Sequence, residues 1–179
     1  MREISLHILD IVQNSIEAGA TKVDLRLDED TVADKMTIVV RDNGRGMDED
    51  LVHSVTDPFV TTRTTRQVGL GIPLMKATAE LCSGSLTIQS TRGRGTVVTA
   101  TFQRSHIDRP PLGDMKGTLL SIIIGNSQAD LHYVHVVDGQ KFELDTADIK
   151  RVLDGVPLSA PNVIRWLSEY LDQDFKEVA

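Results

Sequence analysis

A short stretch around Asp42 constrains the fold more than any other part of the chain. Residues 36–40 are rich in β-formers and predict a strand. This strand runs into Asp42, and the loop that follows contains Gly44 and Gly46. A carboxylate at a strand end can accept a hydrogen bond from an exocyclic amine, and glycines let a flat ring approach the backbone. Asp-Asn-Gly is also ordinary turn chemistry, so a ligand loop and a simple turn both remain open.

Composition limits the class of protein. With 179 residues, of which 40% are hydrophobic, the chain can form one globular domain with an appendage. The longest apolar run, residues 119–124, is much shorter than the roughly 18 residues of a membrane span. The polar and charged residues among positions 1–4 argue against a signal peptide, so we expect a cytoplasmic protein. The net charge of −7 argues against broad binding to nucleic acid.

The first helix is predicted over residues 5–17. Leu9, Val12 and Ile16 lie at helical spacing and form an apolar face. A second face is polar, contains no Lys or Arg, and mixes an amide with carboxylates, as an oxygen-rich Mg²⁺ environment would. The alternative is an ordinary solvated face. The polar face consists of His7, Asp10, Asn14 and Glu17.

The rest of the first hundred residues alternates between helix and strand patterns. The predicted strands are residues 22–27, 36–40, 85–91 and 96–103. A second helix is predicted over 48–55, and a third begins after Gly69-Leu70-Gly71 and continues to about residue 81. Residues 61–67 are polar and basic and predict a mobile loop. The pattern predicts an α/β sandwich with two layers, in which antiparallel strands carry helices on one face.

We divide the chain into three parts. Residues 1–104 form the predicted α/β domain, residues 105–116 a linker that contains Pro110-Pro111, and residues 117–179 a small C-terminal extension. In the extension, strands are predicted over 119–124, 131–137 and 141–144, and helices over 146–153 and 160–171. The extension is short for an independent core, so we expect it to pack on the first domain or on a partner.

Five short motifs follow one another in an order that resembles a known family. They are similar to the ATP-binding fold of the GHKL superfamily, which includes DNA gyrase, the large heat-shock chaperones, histidine kinases and MutL mismatch-repair proteins. The resemblance covers roughly residues 4–103 and implies a Bergerat-type α+β sandwich. Residues 14–21 are most like MutL, whereas residues 57–63 are most like histidine kinases. The motifs are Asp10-x-x-x-Asn14, Asp42-x-Gly44-x-Gly46, Pro58-Phe59, Gly69-Leu70-Gly71 and Gly93-x-Gly95-Thr96.

The resemblance implies ATP and Mg²⁺ as ligands and gives each motif a role. Asn14 would coordinate Mg²⁺ and Asp42 would bind the adenine amine. The other positions would shape the adenine pocket, cover the nucleotide, or present backbone N–H groups to the phosphates. These positions are Gly44, Gly46 and Thr96 at the adenine, Phe59 in the cover, and Gly69, Leu70 and Gly71 at the phosphates.

Three residues are candidates for the chemical step. Asp10 stands where the family usually has glutamate, the expected general base, and its shorter side chain would reach the attacking group through water. Arg63 or Arg66 could neutralise γ-phosphate charge, although either could equally be a solvated loop arginine. We interpret His7 as a residue of the site's rim or as structural. The remaining histidines show no spacing typical of metal ligands.

These expectations lead to one main hypothesis and two alternatives. The main hypothesis is a stand-alone ATP-binding domain similar to histidine kinases, which phosphorylates a separate regulatory or substrate protein or hydrolyses ATP slowly. The first alternative is a nucleotide-gated binding module without phosphotransfer. The second is a MutL-like DNA-processing ATPase, which the acidic charge disfavours. No membrane or nucleic-acid partner is expected, and a homodimer is a candidate assembly.

Overall fold

Strands and helices follow one another along the chain, and the strands form one mixed sheet. The structure, a computed structural model, describes residues 3–56 and 70–178, which form six strands and six helices. The strands are β1 (Lys22–Asp30), β2 (Lys35–Asp42), β3 (Ser85–Thr91), β4 (Gly95–Gln103), β5 (Asp130–Val137) and β6 (Gln140–Asp145). The helices are α1 (Ile4–Glu17), α2 (Glu49–Thr56), α3 (Gly71–Leu81), α4 (Met115–Gly125), α5 (Thr146–Leu153) and α6 (Pro161–Val178).

All six strands belong to a single sheet in the order β3-β4-β2-β1-β5-β6. The strands β1 to β4 pair antiparallel, as the sequence predicts. Their register places Asp42 of β2 directly opposite Thr96 of β4. The strand β5 pairs parallel with β1, and β6 pairs antiparallel with β5. The chain after residue 116 therefore extends the sheet of the first hundred residues.

One face of the sheet is buried under helices. Leu25, Ile38 and Tyr133 occupy alternate positions on three neighbouring strands and are at most 1% exposed. On α1, Ile8 and Ile11 lie at helical spacing and join the same core. Because α1 also packs against α3 and α4, and α4 against α6, the helices form a second layer. This confirms the predicted two-layer sandwich. Among the described residues, no helix has the length and apolarity needed to cross a bilayer.

The strand predicted over residues 119–124 is wrong, because these residues lie in α4. Asp114 caps this helix by accepting a hydrogen bond from the Gly117 backbone N–H at 2.8 Å. Leu119, Ile122 and Ile123 are buried at helical spacing. A continuous apolar run conceals such spacing, since the outward positions are apolar as well. The other strands and both helices predicted beyond residue 130 are confirmed, although α6 continues to Val178 and does not end near residue 171.

The segment before α4 supports the start of α1. The Ile4 N–H donates to the Pro111 carbonyl at 3.0 Å, and the Ser5 N–H donates to the Leu112 carbonyl at 2.8 Å. Two of the backbone groups that a helix leaves unpaired at its N-terminus are thus satisfied by residues that come a hundred positions later. Glu3 occupies the cap position of this helix, and its side chain makes no capping bond.

A buried ionic cluster joins α6 to the sheet. His135 of β5 is 1% exposed and lies between Asp174 of α6, at 3.4 Å, and Glu29 of β1, at 3.1 Å. Arg104 also binds Glu29, at 2.8 Å. Burial opposes charging of the imidazole, but hydrogen bonds to Asp174 and Glu29 outweigh it and raise the pKa of His135 to about 9. The cluster therefore carries a protonated histidine at neutral pH.

We expect the protein to become less stable at alkaline pH, because His135 in this cluster then loses its proton. The pKa of folded His135 lies above its ordinary value of 6.5, so the stabilisation is complete below pH 6.5 and is lost as pH rises through 9. We expect the free energy of unfolding to decrease by on the order of 3 kcal/mol across this window, measured by urea unfolding. His135→Gln should flatten this slope and lower stability at pH 7, whereas His106→Gln, in a loop, should leave the slope in place. An unchanged slope in His135→Gln would contradict the assignment.

Candidate functional site

The carboxylate of Asp42 is held in place by one helix and one loop. Its Oδ2 accepts a hydrogen bond from the Ser15 hydroxyl of α1 at 2.7 Å, and its Oδ1 accepts one from the Gly44 N–H at 2.9 Å. Asp42 is half-buried at the end of β2, and Ser15 is buried. Each carboxylate oxygen can accept more than one hydrogen bond, so the group retains capacity for an additional donor.

Close backbone approach fixes the loop after Asp42 against the β3–β4 hairpin. Gly46 has φ +63°, and a Cβ atom there would lie 2.1 Å from the Thr91 carbonyl oxygen. Gly95 has φ +103°, and a Cβ atom there would lie 2.0 Å from the carbonyl oxygen of Asp42. Both positions therefore require glycine. The predicted role of Gly46 in shaping the site thus has a steric basis in the backbone.

Ser90 ties the same loop and hairpin together. Its hydroxyl oxygen accepts from the Met47 N–H at 2.8 Å and lies 2.9 Å from the Thr96 hydroxyl. It also donates to the Gly95 carbonyl at 3.0 Å. Thr96 is thereby oriented beside Asp42, its partner across the β2–β4 ladder. The two residues predicted to meet an adenine are adjacent in the structure.

A cavity of about 410 Å³ opens at this point, between α1, α2 and the sheet. That volume lies within the usual range of small-molecule sites. Its polar lining includes Asp42, Thr96 and Asn14, whereas the remaining walls are mostly apolar, as a flat heterocycle requires. The apolar lining residues are Ile11, Ala18, Met47, Leu51, Val55, Ile72 and Val98.

Asn14 faces this cavity from α1 with unused bonding capacity. Among the described residues, its buried Nδ2 atom has no hydrogen-bond partner. The same part of the structure contains no cluster of three His, Cys, Asp or Glu side chains suited to a metal ion. The Asn14 Nδ2 group donates hydrogen bonds and does not ligate metals, so Mg²⁺ would be held through the Asn14 Oδ1 atom, with phosphates and water as its other ligands, as is usual for Mg²⁺ bound with nucleotides.

The N-terminus of α3 meets α1 at Asp10. A Cβ atom on Gly71 would lie 2.6 Å from the Asp10 Cβ, so the two helices touch at a glycine. No side chain of the described residues caps α3, whose exposed residue Leu70 occupies the N-cap position. Uncapped N–H groups at a helix N-terminus attract anions. The general-base candidate therefore lies at a location suited to phosphate.

Some predicted site residues cannot be placed. Phe59, Arg63, Arg66 and Gly69 lie outside the described residues, as does the predicted loop over 61–67. Their proposed roles remain predictions. The described candidates meet around two connected features, the cavity at Asp42 and the contact of Asp10 with Gly71.

Sequence reasoning missed two serines. Ser15 could have been found, because it shares the buried stripe of α1 with Ile8 and Ile11 and directly follows Asn14. A serine on an apolar stripe calls for a hydrogen-bond partner. Ser90 could not have been found, since its role depends on the pairing of β3 with β4 and on the path of the loop near Met47.

The described part of the chain combines a strand-end carboxylate, a mostly apolar cavity and a helix N-terminus that no described side chain caps. The profile of the histidine kinase-, DNA gyrase B-, and HSP90-like ATPases matches residues 2–106. The chain belongs to this family, and the resemblance to the GHKL superfamily is confirmed. Domains of this family bind ATP, with Mg²⁺ typical of the family.

Curated relatives include proteins named as a sensor protein and a sporulation kinase. A putative sensor protein of Shewanella frigidimarina is 32% identical over 103 residues, which are 56% of this chain and 16% of that protein. Sporulation kinase D of Bacillus subtilis is 32% identical over 95 residues, 53% of this chain and 19% of that protein. The chain thus spans less than a fifth of the length of these relatives.

A solved structure supports the fold alone. The N-terminal domain of a DNA repair protein aligns with a TM-score of 0.55 at 15% identity, covering 81% of this chain and 53% of that one. The coverage of 81% exceeds the residues that the family profile matches, so the shared architecture includes part of the chain beyond residue 106.

Ser15→Ala tests whether Ser15 orients Asp42. Losing a hydrogen bond to a charged group should weaken ADP binding by about tenfold. Ser121→Ala is a matched control, because both serines lie on helices and contact the carbonyl four residues earlier, but Ser121 is exposed on α4. Isothermal titration calorimetry with ADP should show weaker binding in Ser15→Ala only. Equal affinities in both variants would refute the role of Ser15.

Proposed function

We propose that this chain binds ATP and Mg²⁺ in the cavity at Asp42 and acts as a regulatory protein kinase, or a slow ATPase, on a separate partner protein. The observation that carries the proposal is the Asp42 carboxylate, fixed by Ser15 and Gly44 at the mouth of a cavity with apolar walls. Membership of an ATPase family and similarity to bacterial sensor kinases support it. We place the protein in the cytoplasm, where ATP is available.

Each described residue has a role in this proposal. Asp42 accepts a hydrogen bond from the adenine amine while Thr96 lies beside it. Asn14 would hold Mg²⁺, which when bound supplies charge neutralisation between the phosphates. The N–H groups at the start of α3 bind phosphate oxygens, and the phosphate tail follows α1 from Asn14 toward Asp10.

Asp10 is the proposed general base. Its position against Gly71 puts its carboxylate next to the phosphate-binding end of α3. From there it would accept a proton from water or from a protein nucleophile that attacks the terminal phosphorus. The phosphoryl group would pass to that nucleophile, and ADP would leave.

The second candidate is a nucleotide-gated binding module. The contact of Asp10 with Gly71 favours this candidate, because an aspartate packed against Gly71 reaches less far than the glutamate that is usual in the family. In this case ATP would change the surface around the cavity, and a partner would recognise the change without phosphotransfer.

A labelling experiment separates these functions. We expect incubation with γ-³²P-ATP, Mg²⁺ and a lysate of the source organism to label a partner protein, or to release free phosphate if the protein is an ATPase. Asp10→Asn should reduce either product at least about 100-fold, since it removes the base but preserves size. Asp148→Asn, an exposed aspartate on α5 outside the cavity, is the matched control and should leave both products unchanged. Calorimetry should show that Asp10→Asn still binds ADP.

The outcomes decide between the candidates. If the protein bound nucleotide but produced neither a labelled protein nor free phosphate, the binding module would replace the kinase as the proposed function. Full activity in Asp10→Asn would contradict its role as base. If Asp42→Asn bound ATP as well as the unchanged protein does, the cavity at Asp42 would not be the ATP site.

A further inference from the structure

The two edges of the sheet differ in how they are protected. At one edge, β6 carries Lys141, Glu143 and Asp145 at alternate positions. The Tyr170 hydroxyl of α6 also donates a hydrogen bond to the Glu143 carbonyl at 2.9 Å. Charged side chains and covering contacts of this kind keep an edge strand from pairing with another chain. The β6 edge is therefore protected against further pairing.

The opposite edge, β3, has none of these features. Its seven residues, Ser85–Thr91, include no charged residue and no proline, and they pair with β4 without a bulge. In an antiparallel ladder, every second residue turns its backbone N–H and C=O groups away from the neighbouring strand. Among the described residues, none outside the β3–β4 hairpin forms a hydrogen bond with the β3 backbone.

The second half of β3 borders open space. Residues 88–91 line a second cavity, of about 680 Å³, together with Val52 and His53 of α2. Thr87 and Gln89, which alternate with Ile88, are exposed. Unpaired backbone groups at an accessible sheet edge bind an extended chain by adding it to the sheet as a further strand.

The two ends of β3 differ in charge. The turn that follows β3 contains Arg92 and Arg94, and both side chains are exposed. At the other end, α3 finishes just before β3, and the side chain of Glu80 in its last turn is 58% exposed. The C-terminus of a helix adds partial negative charge, and Leu81 there is 62% exposed. Antiparallel pairing of two identical strands would bring the basic end of one copy to the acidic and apolar end of the other.

We propose that two copies of this chain form a dimer by antiparallel pairing of their β3 strands, which joins the two sheets into one. A two-fold axis at Ile88, the middle residue of β3, pairs all seven residues. Thr87 of each copy then lies opposite Gln89 of the other. Because β3 carries no charge, this pairing places no like charges opposite one another. The dimer goes beyond the proposed function and does not depend on nucleotide binding.

Charge variants on β3 test this pairing. Analytical ultracentrifugation of the unchanged protein at about 100 µM should show a dimer of 19.7 kDa chains. Thr87→Glu combined with Gln89→Glu places carboxylates opposite one another at two positions and should raise the dimer dissociation constant at least about tenfold. Thr87→Glu combined with Gln89→Lys places opposite charges at the same two positions and should restore the dimer.

The control adds the same charge away from the edge. Gln13→Glu on α1 combined with Gln128→Glu in the turn before β5 introduces two carboxylates at exposed positions and should leave the dimer unchanged. A dimer with equal dissociation constants in the unchanged protein and in the acidic β3 variant would overturn the proposal, as would an opposite-charge variant that stays monomeric. A monomeric unchanged protein would also overturn it and leave the edge to a strand of another protein.

The unchanged protein provides a second measurement that does not depend on the folding of variants. Hydrogen exchange of the β3 backbone amides should become faster when the protein is diluted from about 100 µM to about 1 µM, because the dimer then dissociates. The amides of β6, at the other edge, should exchange at the same rate at both concentrations. Exchange in β3 that does not change with protein concentration would overturn the proposal.

Discussion

The site depends on the hydrogen bond between Ser15 and Asp42. It joins a helix to the end of a strand 27 positions later and holds a carboxylate that would otherwise rotate at a loop. Because Asn14 and Asp10 belong to the same helix, fixing α1 at Ser15 also fixes Asn14 at the cavity and Asp10 against Gly71 at the start of α3. One contact therefore sets the geometry of both ends of the proposed nucleotide site.

Residues after position 104 support this helix from outside the family's motifs. The carbonyls of Pro111 and Leu112 pair with the first N–H groups of α1, and α4 packs along it. The strand β5 adds to the sheet next to β1, and the His135 cluster joins α6 to this part of the sheet. The C-terminal segments consequently stabilise the layer on which the site is built.

The sequence predicted the parts of the structure that local patterns determine. Alternation and β-forming residues located β1 to β6, and the motif around Asp42 marked the loop beside the cavity. The reason why Gly46 and Gly95 must be glycine is not local, because Gly46 meets Thr91 and Gly95 meets Asp42, which are distant in the sequence. The α4 helix was mistaken for a strand because its apolar run conceals the helical spacing. Ser90 and the buried state of His7 depend on contacts between distant segments, which no local pattern encodes.

Base selectivity tests the central claim, recognition of adenine by Asp42, most directly. The measurement is the affinity of the unchanged protein for ADP and for GDP in the presence of Mg²⁺. A carboxylate that accepts from the adenine amine would face the carbonyl oxygen of guanine, so the account predicts that ADP binds at least about 100-fold more tightly. Equal affinity for the two nucleotides would contradict it.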